Sequence, residues 1–99
     1  MALAGRQIRQ LRALAHHLDA TVSIGKSGVV EGTATQAVEA LEAHELVKCN
    51  VLDSAGLDAC DAANQLAEMV GAEVVQVIGH KFTLYRVSSR EDAKHIELD

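Results

Sequence analysis

Residues 21–29 read Thr-Val-Ser-Ile-Gly-Lys-Ser-Gly-Val, a short β-type run that leads into two glycines three positions apart. Polar and apolar residues alternate along the run, as they do in a strand with one buried face, and Gly25 stops it. In residues 32–45 the apolar side chains recur at helical spacing, with Thr33 as a candidate cap. We therefore predict a strand, a glycine loop and a helix in succession, and the other elements are placed around this unit.

Hydrophobic periodicity on either side of this unit predicts two more helices and three more strands. Helical spacing recurs in residues 3–17, whose other side carries three arginines, and in residues 57–70, which end before Gly71. The remaining β-type runs are residues 46–52, 74–78 and 82–86. The predicted order is α-β-α-β-α-β-β, an α/β (α+β) sandwich with a four-stranded mixed sheet.

Length and composition predict one domain. The chain has 99 residues, of which 48% are hydrophobic, enough to form a core without disulfides or metals. We expect a single domain over residues 1–99, with its core at about 3–86 and a polar tail at 87–99, in which Ser88 to Lys94 are loosely held. Cys49 and Cys60 are expected to be buried, reduced thiols. The sequence has neither an apolar stretch long enough to span a bilayer nor a signal-peptide pattern, so we expect a cytoplasmic protein without membrane contact.

The distribution of charged residues along the chain says more about a possible polyanionic partner than the net charge does. A net charge of −5 argues against a polyanionic partner. Residues 1–30, however, hold four basic residues and only one acidic residue, Asp19. The basic residues are Arg6, Arg9, Arg12 and Lys26. A basic N-terminal segment in an otherwise acidic chain can still form a local anion-binding site.

The glycine loop, residues 25–28, has the parts of such a site. Its two glycines allow a backbone turn to approach a phosphate closely, while Lys26 supplies charge and Ser27 a hydroxyl. A helix beginning nearby adds partial positive charge. An ordinary strand-to-helix turn would also explain the glycines. A P-loop is excluded, because the position five residues before Gly25 is Ala20 and not glycine.

Metal and catalytic motifs are missing from the sequence. The chain has five histidines and two cysteines, but no His-x-x-x-His or Cys-x-x-Cys spacing. It has no nucleophile elbow, paired-carboxylate motif or Cys/His signature. We therefore predict no metal site, no cofactor, no small-molecule substrate and no enzymatic activity.

Five segments taken together resemble the CRM domain, in particular its stand-alone bacterial members, the YhbY family. The segments are LRALAH at 11–16, IGKSGV at 24–29, ALEAHELVK at 40–48, VQVIGHK at 75–81 and LYR at 84–86. The resemblance covers roughly residues 3–86 in the family's order, so it is far more specific than the glycine loop alone.

The resemblance implies a fold similar to the carboxy-terminal domain of translation initiation factor 3, and a protein that binds RNA, with precursors of the large ribosomal subunit as the partner. We also expect the protein to be a monomer. The implied RNA-binding residues are Gly25, Lys26, Ser27 and Gly28 in the loop, Arg9 and Arg12 on the first helix, and Lys48, Lys81 and Arg86. One departure is His80, which stands where many members have lysine. By analogy with KH modules, the loop would contact phosphate and sugar rather than bases.

A second hypothesis remains open at this point. The chain could be a protein-interaction module that joins pre-ribosomal particles without touching RNA, a role that the acidic body would suit.

Overall fold

The computed structural model describes residues 3–92 and 95–98. The helices are α1 (Gly5–Ala15), α2 (Glu31–His44) and α3 (Ala59–Val70). The strands are β1 (Val22–Ile24), β2 (Leu46–Val51), β3 (Glu73–Ile78) and β4 (Lys81–Tyr85), and a short 3-10 turn spans Asp53–Ala55. This order confirms the predicted α-β-α-β-α-β-β arrangement. No helix among the described residues is both long and apolar enough to cross a lipid bilayer.

The four strands form one mixed sheet in the order β1-β2-β4-β3. β1 and β2 are parallel, which requires a crossover between them, and α2 provides it. β2 pairs antiparallel with β4, and β4 with β3. The hairpin between β3 and β4 turns through Gly79, whose φ of +58° favours glycine. The sheet class and its four strands are therefore as predicted.

The two faces of the sheet are covered differently. Val47, Cys49 and Val51 of β2 point into a large aliphatic core beneath α2 and α3. Leu46 points to the opposite face, where α1 packs over a smaller cluster. The buried members of this cluster are Leu11, Ala15, Leu46, Val75 and Tyr85. The small cluster occupies the end of the sheet where β2 begins and β4 finishes, so α1 leaves the other end of its face uncovered.

The cap of α2 differs from the prediction. Val30, in an extended conformation, is the N-cap residue, and Thr33 is the third residue of the helix. The Thr33 hydroxyl accepts a hydrogen bond from the Val30 N–H at 3.4 Å and donates one to the Gly28 carbonyl at 3.4 Å. Thr33 therefore stabilises the helix start from inside the first turn and ties it to the glycine loop.

Only one of the two cysteines is buried. Cys49 lies in the core, and burial raises the pKa of its thiol to about 12. The prediction was wrong for Cys60, which is exposed. The reason is helical phase, because Ala59, Ala62 and Ala63 of α3 face the core and turn Cys60 outward.

The polar tail is held more firmly than predicted. Glu45, the left-handed residue that ends α2, is 1% exposed and accepts 2.6 Å hydrogen bonds from the N–H groups of Ser88 and Ile96. His95 Nδ1 also lies 2.6 Å from the Glu45 carboxylate. Ile96 and Leu98 pack against the small cluster beneath α1. The expectation that Ser88 to Lys94 are loosely held is therefore wrong for Ser88, while Lys94 lies outside the described residues.

Two glutamates at the end of α2, Glu42 and Glu45, anchor this tail. Burial by itself would raise the pKa of Glu45, but the hydrogen bonds from His95, Ser88 and Ile96 outweigh it and lower the pKa. Glu42 accepts hydrogen bonds from the Ser89 hydroxyl, from the Ser89 N–H at 2.6 Å and from the Ser88 hydroxyl at 2.8 Å. These bonds lower the pKa of Glu42 to about 2.

We expect acid to weaken the fold through Glu42. A carboxyl whose pKa falls from an ordinary 4.5 to about 2 on folding stabilises the protein above pH 4.5 and loses that contribution as pH falls toward 2. Glu42→Gln should therefore be less stable than the wild type at pH 6, with a difference that shrinks on acidification. The measurement is the urea midpoint between pH 6 and pH 2, with Glu39→Gln on the exposed side of α2 as control. A constant difference at all pH values would contradict the assignment.

Candidate nucleic-acid interface

The glycine loop is a tight turn that presents two polar residues at its tip. The Gly28 N–H donates to the Gly25 carbonyl at 2.8 Å, which closes a β-turn with exposed Lys26 and Ser27 in its central positions. Gly28 has a φ of +73°, a left-handed conformation that favours glycine. Among the described residues, the N–H groups of Lys26 and Ser27 have no acceptor. The turn can therefore offer two N–H groups, a hydroxyl and an ammonium to an anion.

The start of α2 contributes less positive potential than the sequence suggested. The helix begins three residues after Gly28, and its first residue is Glu31. A carboxylate in the first turn is favourable for the helix but offsets the positive end of its dipole. The anion-accepting feature is therefore the turn itself.

The hairpin between β3 and β4 lies at the same end of the sheet as the glycine loop. The Leu52 N–H donates to the Ile24 carbonyl at 2.9 Å, just before the loop begins. The neighbouring Val51 N–H donates to the carbonyl of His80 in the hairpin at 2.7 Å. The sheet thus brings the loop, with Lys26, and the hairpin, with His80 and Lys81, to one end.

The uncovered part of the α1 side of the sheet, here called the open sheet face, is a platform beside this end. Strand register places two rows of side chains on it. The first row is Ser23, Asn50, Lys81 and Ile78, and the second is Lys48, Thr83 and Gln76. Lys48 Nζ donates to the Ala15 carbonyl at 3.4 Å, so this ammonium stands where α1 ends and the open sheet face begins. Its remaining N–H donors are available for a second acceptor.

The arginine side of α1 continues this surface. Arg9, Arg12 and His16 fall three and four residues apart, which puts them on one side of the helix. Arg12 Nε donates to the Val75 carbonyl at 3.3 Å, an arrangement that fixes the side chain and leaves its terminal nitrogens for other partners. His16 lines a small cavity together with Lys48 and Lys81.

The charges of the protein are divided between its two sides. α1 carries Arg6, Arg9 and Arg12 and has no acidic residue. α2 and α3 have neither lysine nor arginine. Their acidic residues are Glu31, Glu39, Glu42, Asp61 and Glu68. Much of the net charge of −5 therefore lies on the side of the sheet opposite α1.

Arg86 lies apart from the other predicted site residues. It follows Tyr85, at the end of the sheet opposite the glycine loop, on the chain that leads to the tail. Its Nη1 donates to the Val70 carbonyl at the end of α3 at 2.8 Å, and its Nη2 lies 3.2 Å from Glu42 Oε1. These contacts give Arg86 a structural role, whereas the remaining eight predicted residues lie in the loop, on α1 or on the open sheet face.

Three residues of the open sheet face that line the small cavity were missed by the sequence analysis: Gln76, Ile78 and Thr83. The alternation in β4 does place Thr83 on the same side as Lys81. The irregular register between Val74 and Gln76, however, shifts the face that each β3 residue occupies, and no local signal marks it. Within the described residues, no group of three or more His, Cys, Asp or Glu side chains could hold a metal ion.

Mutation of Lys81, the first residue of β4, and of Arg86, which follows the strand, should have different effects on stability. Arg86→Ala is expected to lower the free energy of unfolding by about 1–2 kcal/mol, because it removes the hydrogen bond to the helix terminus and the contact with Glu42. Lys81→Ala, at an exposed position, should change it by less than about 0.5 kcal/mol. Urea denaturation at pH 7 measures both. Equal effects of the two substitutions would contradict the structural role of Arg86.

Comparison with known proteins places the chain in a family. A family model described as the CRS1 / YhbY (CRM) domain matches residues 3–86. The "Probable RNA-binding protein YqeI" of Bacillus subtilis is 42% identical over 96 residues, covering 97% of this chain and 98% of that protein. An "RNA-binding protein" of Haemophilus influenzae is 37% identical, covering 93% and 91%. The solution structure of the hypothetical protein SAV1595 from Staphylococcus aureus superposes with a TM-score of 0.76 at 38% identity, over 99% of this chain and 100% of that one. The chain therefore belongs to the CRS1/YhbY (CRM) domain family.

Proposed function

We propose that this protein binds RNA and holds its phosphate backbone with the glycine loop and the open sheet face. The observation that carries the proposal is the division of charge, which gathers basic side chains on α1 and the open sheet face and acidic ones on α2 and α3. The names of the relatives in Bacillus subtilis and Haemophilus influenzae, both described as RNA-binding, support it.

The proposed contacts divide into a clamp and an extended surface. In the clamp, the N–H groups and side chains of Lys26 and Ser27 bind one phosphate, and Gly25 and Gly28 let the turn approach it closely. Along the surface, further phosphates are neutralised by basic side chains on three elements of the fold, α1, β2 and β4. These side chains are Arg9, Arg12, Lys48 and Lys81. Such contacts give affinity that depends strongly on salt.

We further propose that the RNA is ribosomal RNA in precursors of the large subunit, and that the protein acts in ribosome assembly as a monomer. This step rests on the family resemblance of residues 3–86. Contacts to the backbone suit an assembly role, because they recognise the shape and charge of a folded RNA more than its sequence.

The alternative function is that of a protein-interaction module, and the acidic side formed by α2 and α3 favours it. Such a module would join pre-ribosomal particles through basic protein partners and leave the open sheet face unused. Association with the particles that survives nuclease digestion would favour this alternative over direct RNA binding.

Binding to fragments of large-subunit ribosomal RNA across a salt series tests the clamp. We expect log affinity to fall with log salt by about 0.7 for each phosphate contact on single-stranded RNA, and Lys26→Ala to remove roughly one contact from that slope. Arg90→Ala, which removes the same charge from the exposed tail, is the matched control and should leave the slope unchanged. Absence of salt-sensitive binding, or equal losses in the two variants, would count against the clamp.

Substitution of Gly28 tests the loop without changing a basic residue. Gly28→Asp places a carboxylate beside the proposed phosphate, whereas Gly28→Asn has nearly the same size and, like aspartate, tolerates the left-handed conformation. We expect the aspartate variant to bind the same RNA about tenfold more weakly than the asparagine variant, with similar thermal unfolding. Equal RNA affinity of the two folded variants would remove the loop from the site.

A further inference from the structure

The open sheet face contains a small cavity between the end of α1 and the β3–β4 hairpin. Its volume is about 100 Å³, and its lining residues are His16, Lys48, Gln76, Ile78, Lys81 and Thr83. Sites for drug-sized ligands are several times larger, on the order of 300–1,000 Å³. The cavity is therefore suited to one compact group at the end of a longer ligand.

Two polar side chains in the cavity have no hydrogen-bond partner among the residues that the structure describes. Thr83 is only 2% exposed, yet its hydroxyl makes no hydrogen bond to any residue that the structure describes. Fully enclosed polar side-chain atoms in the described chain all have partners, so the Thr83 hydroxyl is not fully enclosed, and Thr83 lines the cavity. The half-buried amide of Gln76 is likewise without a partner among the described residues. Together they offer donors and acceptors to a group that enters.

An exposed aliphatic side chain borders these polar groups. Ile78 is 60% exposed and lies in the row that contains Lys81. The two aromatic residues of the chain, Phe82 and Tyr85, are 1% and 3% exposed and cannot serve as stacking platforms. Ile78 is therefore the apolar surface that this face offers to a flat ligand.

We propose that this cavity binds one unpaired nucleobase of single-stranded RNA, with Ile78 packed against the base and Gln76 and Thr83 hydrogen-bonded to its edge. Lys48 and Lys81, which also line the cavity, hold the flanking phosphates. The proposal rests on the proposed function, because the open sheet face must first contact RNA. It adds a preference for single strands, since a base in a duplex is stacked and cannot enter.

The test compares RNA probes whose bases are unpaired, absent or paired. The probes are an eight-nucleotide single-stranded RNA of mixed sequence, the same length of abasic ribose-phosphate chain, and the eight-base-pair duplex. We expect the wild type to bind the single strand about fivefold more tightly than the abasic chain. Ile78→Ser and the near-isosteric Thr83→Val should bring that ratio toward one. Val77→Ser, on the opposite side of β3, is the matched control and should keep the wild-type ratio.

The outcomes separate this proposal from the proposed function. Equal affinity for the single strand and the abasic chain, with a normal salt slope, would overturn the base-binding cavity and leave the backbone clamp intact. The base-binding cavity would also be overturned if the duplex binds as tightly as the single strand. It would likewise be overturned if Val77→Ser lowers the ratio of single-strand to abasic-chain affinity as much as Ile78→Ser does. Failure of the wild type to bind any of the three probes, or ribosomal RNA, would instead overturn the proposed function.

Discussion

Alternation along the central strand β2 is the constraint on which the rest of the structure depends. Val47, Cys49 and Val51 face the large core, and Leu46 and Lys48 face the α1 side. A slip of one residue would exchange these two sets. Exposing three core side chains would cost about 5 kcal/mol, on the scale of about 1.5–3 kcal/mol for each. That is comparable with the whole stability of a small domain, about 5–15 kcal/mol, so the register is fixed.

The fixed register leaves the α1 side of the sheet only partly covered, and that is where the proposed function is placed. Leu11 and Ala15 bury α1 over one end of this face, and the helix stops beside Lys48. Beyond that point the side chains that alternation sends to this side are polar or basic, apart from the exposed Ile78. Because α2 and α3 carry five acidic residues on the other side and no lysine or arginine, an acidic protein has a basic surface on the α1 side.

Basic residues at the two ends of β4 serve different purposes. Lys81 begins the strand next to the hairpin, on the open sheet face. Arg86 follows its last residue and connects the end of α3 with Glu42, which in turn holds Ser88 and Ser89 of the tail. Nearby, the buried Glu45 carboxylate joins three further groups of the tail. One end of the sheet is thus engaged within the protein, and the other is available to a ligand.

The element order, the sheet class and the glycine loop could be predicted from the sequence, because period-2 and helical patterns and paired glycines are local signals. The sequence did not reveal the burial of Glu45, whose partners Ser88 and Ile96 lie 43 and 51 residues away. Nor did it distinguish the internal contacts of Arg86 from the exposed position of Lys81, or predict that Gln76 and Thr83 line one cavity. These points depend on the tertiary structure, because strand register and the packing of distant segments fix which side chains meet. A local sequence pattern carries no information about partners far along the chain.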